Sequence, residues 1–505
     1  MGPKRENNRK WWRNNSQRHF NKRYRSGILE SSEASTPASS LSSGNRSSTV
    51  PELPGFYYDP EKNRYFRLLP GHNNCNPLTR EAIIQKEMEQ KRLQLLEEDK
   101  NRKKSTRPGV NASMLVWKRQ LGLMPFTTYC RRVHELKVNC MQRKEVQIVN
   151  PEPVGPGTHK FEFILADSSC QRLFAVSDME NGFCKYGLLN LNGLWKDVPT
   201  VESHDNPYFT NHKVNVACWA TLTGPDSHVL ISLLGRQDSP GCVSLIPACL
   251  FKNLAPDADD GQPVMLYNIK VSNVWSCVWC LNPRLDCSFS AGLKNQVLVM
   301  NTATDVRRTF KTNSDVLAQQ FATENLLLYN GCRSGEVFSI DMRVPALSPS
   351  NWKKGTSFFQ NSAITCLRLL QDENYLMVSD MSGQIKLWDM RMVKYLQQYE
   401  GHNNSYAYLP LHVIEEEGLL IAVGQDCYTR IWNLQDTRLL RTIPSPHPAS
   451  KDTIPSVVFS SHLGGKRQTV PGILMAVKKD LYHFTYNTNT VEKEYDRKPW
   501  HPSNC

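Results

Sequence analysis

The octet Gln384–Ile385–Lys386–Leu387–Trp388–Asp389–Met390–Arg391 reads as a short strand closed by Trp-Asp, followed by a turn that carries an arginine. Forty-eight residues earlier, Glu336–Val337–Phe338–Ser339–Ile340–Asp341–Met342–Arg343 repeats the same design. A strand ending that recurs at this interval leaves few folds open. Each repeat is one small sheet that cannot bury both of its faces alone, so the repeats must stack or close into a ring. The expected class is all-β, a WD-type propeller.

Inner-strand starts can be aligned at Phe161, Val214, Trp275, Val316, Ile364, Ala407 and Ile454, the later ones 41, 48, 43 and 47 residues apart. Blades of ~40–45 residues are the norm for this architecture. Seven units over 146–486 predict a seven-bladed WD propeller, and Val146–Gln147–Ile148 is expected to latch the ring against strands near Leu481–Tyr486. In the blade that follows the second octet, His402, Asp426 and Trp432 read as a structural set hydrogen-bonded across the blade, because buried polar groups need partners.

The chain before the propeller changes character several times. Residues 1–26 hold nine Lys/Arg against Glu6 alone, which places +8 of the net +13 in that tail. Trp11, Trp12, Phe20 and Tyr24 are interleaved with the charges, a composition suited to nucleic acid or to an import receptor. Residues 27–50 are Ser-rich and too poor in large apolar side chains to order on their own, so 1–50 reads as a disordered tail. Residues 51–75 contain two aromatic runs around Asp59–Pro60–Glu61–Lys62–Asn63, which is turn chemistry and predicts a hairpin.

Residues 76–106 predict an exposed charged helix with a thin apolar stripe through Ile84, Met88 and Leu95. Residues 107–145 predict a helix–loop–helix arm, apolar at Met114, Leu115, Trp117 and Leu121 and again at Tyr129, Val133, Leu136, Cys140 and Met141. That arm either packs on the propeller or enters a partner's groove. The polar segment 487–505 reads as a flexible tail.

No run of about 18 apolar residues is present, so no membrane span is expected. The 15 cysteines fall singly in apolar strands, the usage of small buried hydrophobes in a reducing, intracellular compartment, nuclear or cytoplasmic. Cys277-x-x-Cys280 is one pair where structural zinc needs four ligands, so it reads as strand packing. Gly464–Gly465–Lys466–Arg467 lacks the remaining positions of a phosphate loop, and the serine of Gly331–Cys332–Arg333–Ser334–Gly335 is misplaced for a nucleophile elbow. Neither catalysis nor a cofactor is expected.

Arginine presents a rigid fork of donors suited to carboxylates and clustered carbonyls. Two such tips in adjacent blades therefore suggest a docking surface. The motifs Pro54–Gly55–Phe56–Tyr57–Tyr58–Asp59–Pro60, Asn313–Ser314–Asp315–Val316–Leu317–Ala318–Gln319–Gln320–Phe321, the two Asp-x-Arg blades and Glu400–Gly401–His402, with the charged helix, resemble the WD-repeat substrate receptors of cullin-four RING ubiquitin ligases. Ile340 departs from the pattern, standing where that family usually carries an aromatic.

The resemblance implies a non-catalytic receptor that docks the damaged-DNA-binding adaptor, and through it a cullin-RING ligase, with Asp341, Arg343, Asp389, Arg391 and the helical arm at 111–141. It also implies an unidentified protein substrate, held on the opposite face or at the channel mouth. Two other readings stay open from sequence: a propeller scaffold with no ligase connection, and a nucleic-acid-binding protein acting through residues 1–26.

Overall fold

The computed structural model describes residues 56–59, 64–67, 80–102, 112–149 and 159–485, the last with gaps at 180–182, 197, 204–207, 236–239, 252–266, 272–273, 345–348, 351, 451–452, 461 and 464–470. The chain divides into two units, 1–79 and 80–505. In the first, Phe56–Asp59 pairs antiparallel with Arg64–Arg67, opposing Phe56 to Arg67 and Tyr58 to Tyr65. That is the hairpin expected from its turn residues. The basic tail and the segment after 485 lie outside the described residues.

In the second unit, five separate four-stranded antiparallel sheets follow one another from Val214 to Pro444. A larger sheet divides where Gln147–Val149 runs parallel to Thr200–Glu202. On one side of that division lie the strands between His159 and Thr210, which form the first blade. On the other, Gln142–Val149 pairs with Asp480–Thr485 and closes a blade begun by Ser456–Ser460 and Gly472–Val477. The latch therefore exists, and its strand starts at Gln142, inside the stretch that the helical periodicity had claimed.

Packing closes the ring. Among the described residues each buried apolar cluster joins two consecutive blades: Phe289 and Leu230 share one, Leu328 and Val299 another, Trp432 and Leu387 a third. One cluster joins the last blade to the first through Val458, Leu474, Ile164 and Leu173. Burying a side chain of this size contributes ~1.5–3 kcal/mol, and each cluster draws its members from both blades it joins.

A belt of polar ties runs along the turns between first and second strands. Ser168 N donates to Asp226 Oδ2 at 2.7 Å, Asn282 Nδ2 to Asn325 O at 3.1 Å and Gln371 N to Glu415 Oε1 at 2.8 Å. Glu373 collects Thr323 N, Glu324 N and Asn325 N at 2.5, 2.7 and 3.0 Å.

Four of the aligned starts move: the first strand begins at His159 and the third at Ser276, and the last two shift towards the C-terminus. The sixth inner strand begins at Leu411 and the seventh at Ser456, because Pro410 and Pro455 have no N–H to give a ladder. Ala407 sits instead in a loop closed by both ends of the Asn404 amide, at 2.9 Å each. Cys277 and Cys280 are buried among packed strands, and burial raises the Cys280 thiol to about 11.

Three helices precede the ring: α1 (Arg80–Arg102), α2 (Ala112–Gln120) and α3 (Phe126–Cys140). Most of the described side chains of α1 are exposed. Ile84 and Met88 are indeed exposed, but the helix is docked through its polar face rather than lying free. Arg92 is buried and donates to Ser445 O at 2.9 Å and Pro446 O at 3.1 Å, with Glu89 gripping the rest of its guanidinium. Asp99 pairs with Arg441 at 3.1 Å. A thin apolar stripe did not mean a free helix, because charged anchors reached buried carbonyls.

Candidate docking surface

The third strand of the fourth blade ends at Asp341 and that of the fifth at Asp389. They occupy equivalent positions, each opposite the start of its second strand, at Leu327 and Tyr375. The inner strands of these two blades pack side by side, so both turns lie at the same end of the strands.

Each aspartate builds its turn by accepting a backbone N–H two residues on: Arg343 N to Asp341 Oδ1 and Arg391 N to Asp389 Oδ1, both 2.9 Å. This is an Asx turn, which orders a loop that has no ladder bonds of its own. Asn301 and Asn433 do the same in the neighbouring blades, to Ala303 N at 3.0 Å and Gln435 N at 2.8 Å. Four consecutive blades thus share the turn device, and only two place an arginine after it.

Those arginines are held by their own aspartates. Arg343 Nη2 lies 2.6 Å from Asp341 Oδ2, and Arg391 Nη2 lies 2.9 Å from Asp389 Oδ2. Hydrogen bonds from the arginines pull both aspartates below the usual carboxylate range. The arginine side chains are nevertheless 68% and 61% exposed, and Arg391 also rests against the Tyr375 ring. The motif is therefore a self-satisfied turn that presents an oriented guanidinium, not a free cation. Ile340 fills the place of Trp388 as a buried strand end, which keeps the first turn in register without an aromatic.

The helical arm reaches the same rim at the sixth blade. Its second helix is anchored by Val138 and Met141, which enter the core between the sixth and seventh blades. Arg441 Nη1 donates to Val138 O at 2.7 Å and Met141 O at 3.0 Å, satisfying carbonyls at the helix end. Arg131 pairs with Asp436 at 3.2 Å, and His134 with Glu417 at 3.3 Å. Asp436 follows the turn built by Asn433, and Glu417 lies in the first-to-second-strand turn, so the contacts fall on the rim that carries Arg343 and Arg391. Gln397 Nε2 and Tyr399 Oη tie the fifth blade to this turn through Gln435 O at 2.7 Å and Leu434 O at 2.6 Å.

Of the arm residues expected from sequence, Leu115 is buried and Tyr129 and Val133 are half-buried, whereas Met114 and Leu121 stand exposed. With Val116, Trp117, Leu123 and Phe126 they leave six large apolar side chains in water along α2 and its turn, Leu123 at 70%. Gly122, at φ +71°, allows the reversal. The arm therefore divides its labour: α3 packs on the ring and α2 offers an apolar face. Sequence reasoning missed Met392, Tyr395 and Leu396, exposed beside Arg391; nothing in a short Met-Val-Lys-Tyr-Leu run marks which of its side chains face water.

The His402–Asp426–Trp432 set is corrected. Trp432 Nε1 donates to Glu400 O at 2.9 Å, and Asp426 is taken by Arg430, with Nη1 at 3.0 Å. His402 is buried beside them, and burial lowers its pKa to about 4. A nearer cation claimed the carboxylate, so these residues pack together without the cross-blade network.

The sequence matches the model of a known family. The profile of the DDB1- and CUL4-associated factor 4 beta-propeller domain matches residues 129–486. The human DDB1- and CUL4-associated factor 4 is 57% identical over 449 residues, 89% of this chain and 90% of that protein. The Bos taurus protein of the same name is 53% identical over 482 residues, covering 94% and 96%. The human DDB1- and CUL4-associated factor 4-like protein 2 is 49% identical over 399 residues, 79% of this chain and 100% of its own length. The chain belongs to the DDB1- and CUL4-associated factor 4 family.

Proposed function

We propose that this chain is a non-catalytic, client-recruiting subunit of a cullin-RING ubiquitin ligase, a seven-bladed propeller that docks the adaptor DDB1 and through it CUL4. The relatives' names carry both partners. The observation that supports the reading in this molecule is the shared rim: Arg343 and Arg391 lie at the same end of the blades as the α3 contacts Arg131–Asp436 and His134–Glu417, and α2, which packs on α3, carries the exposed apolar face. A stable interface buries ~800 Å² per partner, more than two arginine tips supply. The α2 face contributes area, and the pre-oriented arginines contribute register and on-rate. Buried single thiols support a reducing, nuclear or cytoplasmic setting.

Capture of purified DDB1 tests it. Arg343→Ala with Arg391→Ala is expected to weaken capture by at least about tenfold, and Trp117→Asp by a comparable factor, while thermal melting stays that of the parent. Unchanged capture in both folded variants refutes the assignment.

A further inference from the structure

The inner strands enclose a cavity of about 770 Å³. Its wall runs along those strands, from Lys160 at the start of the first and Lys213 just before the second to Leu165 and Arg368 near the far ends of theirs. Arg343, Arg391 and the described residues of the helical arm contribute nothing to this wall.

Deep in this wall stands Arg368, whose charge is unbalanced. Its Nε donates to Leu411 O at 3.0 Å and its Nη1 to Leu367 O at 3.3 Å, both backbone carbonyls. No carboxylate pairs with it among the described residues. The two carboxylates in the wall are placed elsewhere: Glu162 is 2.5 Å from Lys213, and Asp178 acts on the same lysine. A guanidinium stays charged at any working pH, and a cation removed from bulk water is costly unless an anion joins it.

The surroundings of Arg368 suit a hydrogen-bonding anion. His412 lines the same wall with Nε2 buried and unpartnered, and burial together with Arg368 holds its pKa at about 4. Near neutral pH it is an uncharged imidazole able to donate. Tyr408 also lines the cavity, and desolvation keeps its hydroxyl protonated. Phe161, Ile164 and Leu409 add apolar surface around these polar groups. A few convergent polar groups in an apolar cavity of this size is the pattern of a ligand site.

We propose that the cavity binds an acidic peptide segment of the client protein, one carboxylate pairing with Arg368 and hydrogen-bonding to His412 and Tyr408. This deepens the receptor reading above and rests on it for the word client. A single carboxylate balances the single unpaired guanidinium, whereas a doubly charged phosphate leaves the site net negative. The carboxylate comes from a Glu or Asp side chain or from a chain terminus.

Fluorescence anisotropy on the full chain tests this with four labelled hexapeptide pools. One carries a fixed Glu and an amidated end, one the same with Gln, one no acid but a free terminal carboxylate, and one a fixed phosphoserine. The Glu pool, the free-terminus pool or both should bind at least tenfold more tightly than the Gln pool, and the difference identifies the source. Arg368→Gln should erase that preference.

Ala407→Trp, which obstructs the cavity without touching Arg368, should weaken every pool and serves if Arg368→Gln does not fold. Equal binding of acidic and neutral pools, a preference for phosphoserine, or parent-like binding by a folded Arg368→Gln or Ala407→Trp protein overturns the proposal. DDB1 capture is read on the same preparations. Arg368→Gln should leave it intact, so a failed receptor reading shows as lost capture by the parent, independent of the peptide result.

Discussion

Replacing Arg441 with Met should release the arm while leaving the ring standing. The Arg441 side chain is 3% exposed and joins three elements: Val138 O and Met141 O at the end of α3, and Asp99 of α1, all within 3.1 Å. Methionine keeps most of the apolar stem and removes every donor. Each charged donor to a carbonyl is worth ~1.5–3 kcal/mol, and orphaning a partner of a buried pair costs ~3–5 kcal/mol. Part of that is recovered as water reaches a loosened α3, so a local loss of about 3 kcal/mol is expected.

Every 1.4 kcal/mol is a factor of ten in an equilibrium, so hydrogen exchange across 126–141 should quicken by on the order of a hundredfold. Amides in the third to fifth blades should keep their protection. Unchanged protection of 126–141 would show that the apolar contacts of Val138 and Met141 hold the arm by themselves and that the staple is incidental.

Three further outcomes follow from the fold. Glu373→Gln presents an amide N–H₂ to donors at Thr323, Glu324 and Asn325 and should cost about 1 kcal/mol after allowance for its solvent exposure, read as a lowered urea midpoint with unchanged slope. Gly335→Ala should cost at least about 1 kcal/mol, because the residue sits at φ +85° and a Cβ would stand 2.1 Å from Gln360 O; a midpoint equal to the parent's would contradict this.

Acid should destabilise the ring through His402. Its folded value of about 4 lies below the ordinary 6.5, so the folded state binds fewer protons between those limits. The stability it contributes is complete above pH 6.5 and is lost as pH falls towards 4, up to about 3 kcal/mol. His402→Asn should flatten that part of the pH profile, and a profile as steep as the parent's would exclude His402 as its source.

The propeller was legible because its signal is local and repeated: a short, largely buried strand closed by Asp or Asn and a turn. The docking turns were legible for the same reason, since Arg391 and Asp389 are two residues apart. What escaped sequence reading depends on contacts distant along the chain. The docking of α1 runs through Arg92 to carbonyls at Ser445 and Pro446, and carbonyls carry no side-chain signature. The expected bond from His402 to Asp426 failed because Arg430, four residues on in the following strand, competes for the same oxygens. The starts at Ala407 and Ile454 slipped because hydrophobicity was weighed above the prolines that follow. Arg368 drew no notice, as a lone arginine in a strand looks ordinary until the cavity around it is seen.

Hydrogen exchange on the full chain, free and bound to purified DDB1, addresses the docking rim most directly. Protection should rise together in three stretches, 114–126, 341–344 and 389–396, while the strand starts near Lys160 and Lys213 stay as they were. Protection confined to those strand starts, with the three stretches exchanging as in the free chain, would place the adaptor on the wrong face and contradict the account.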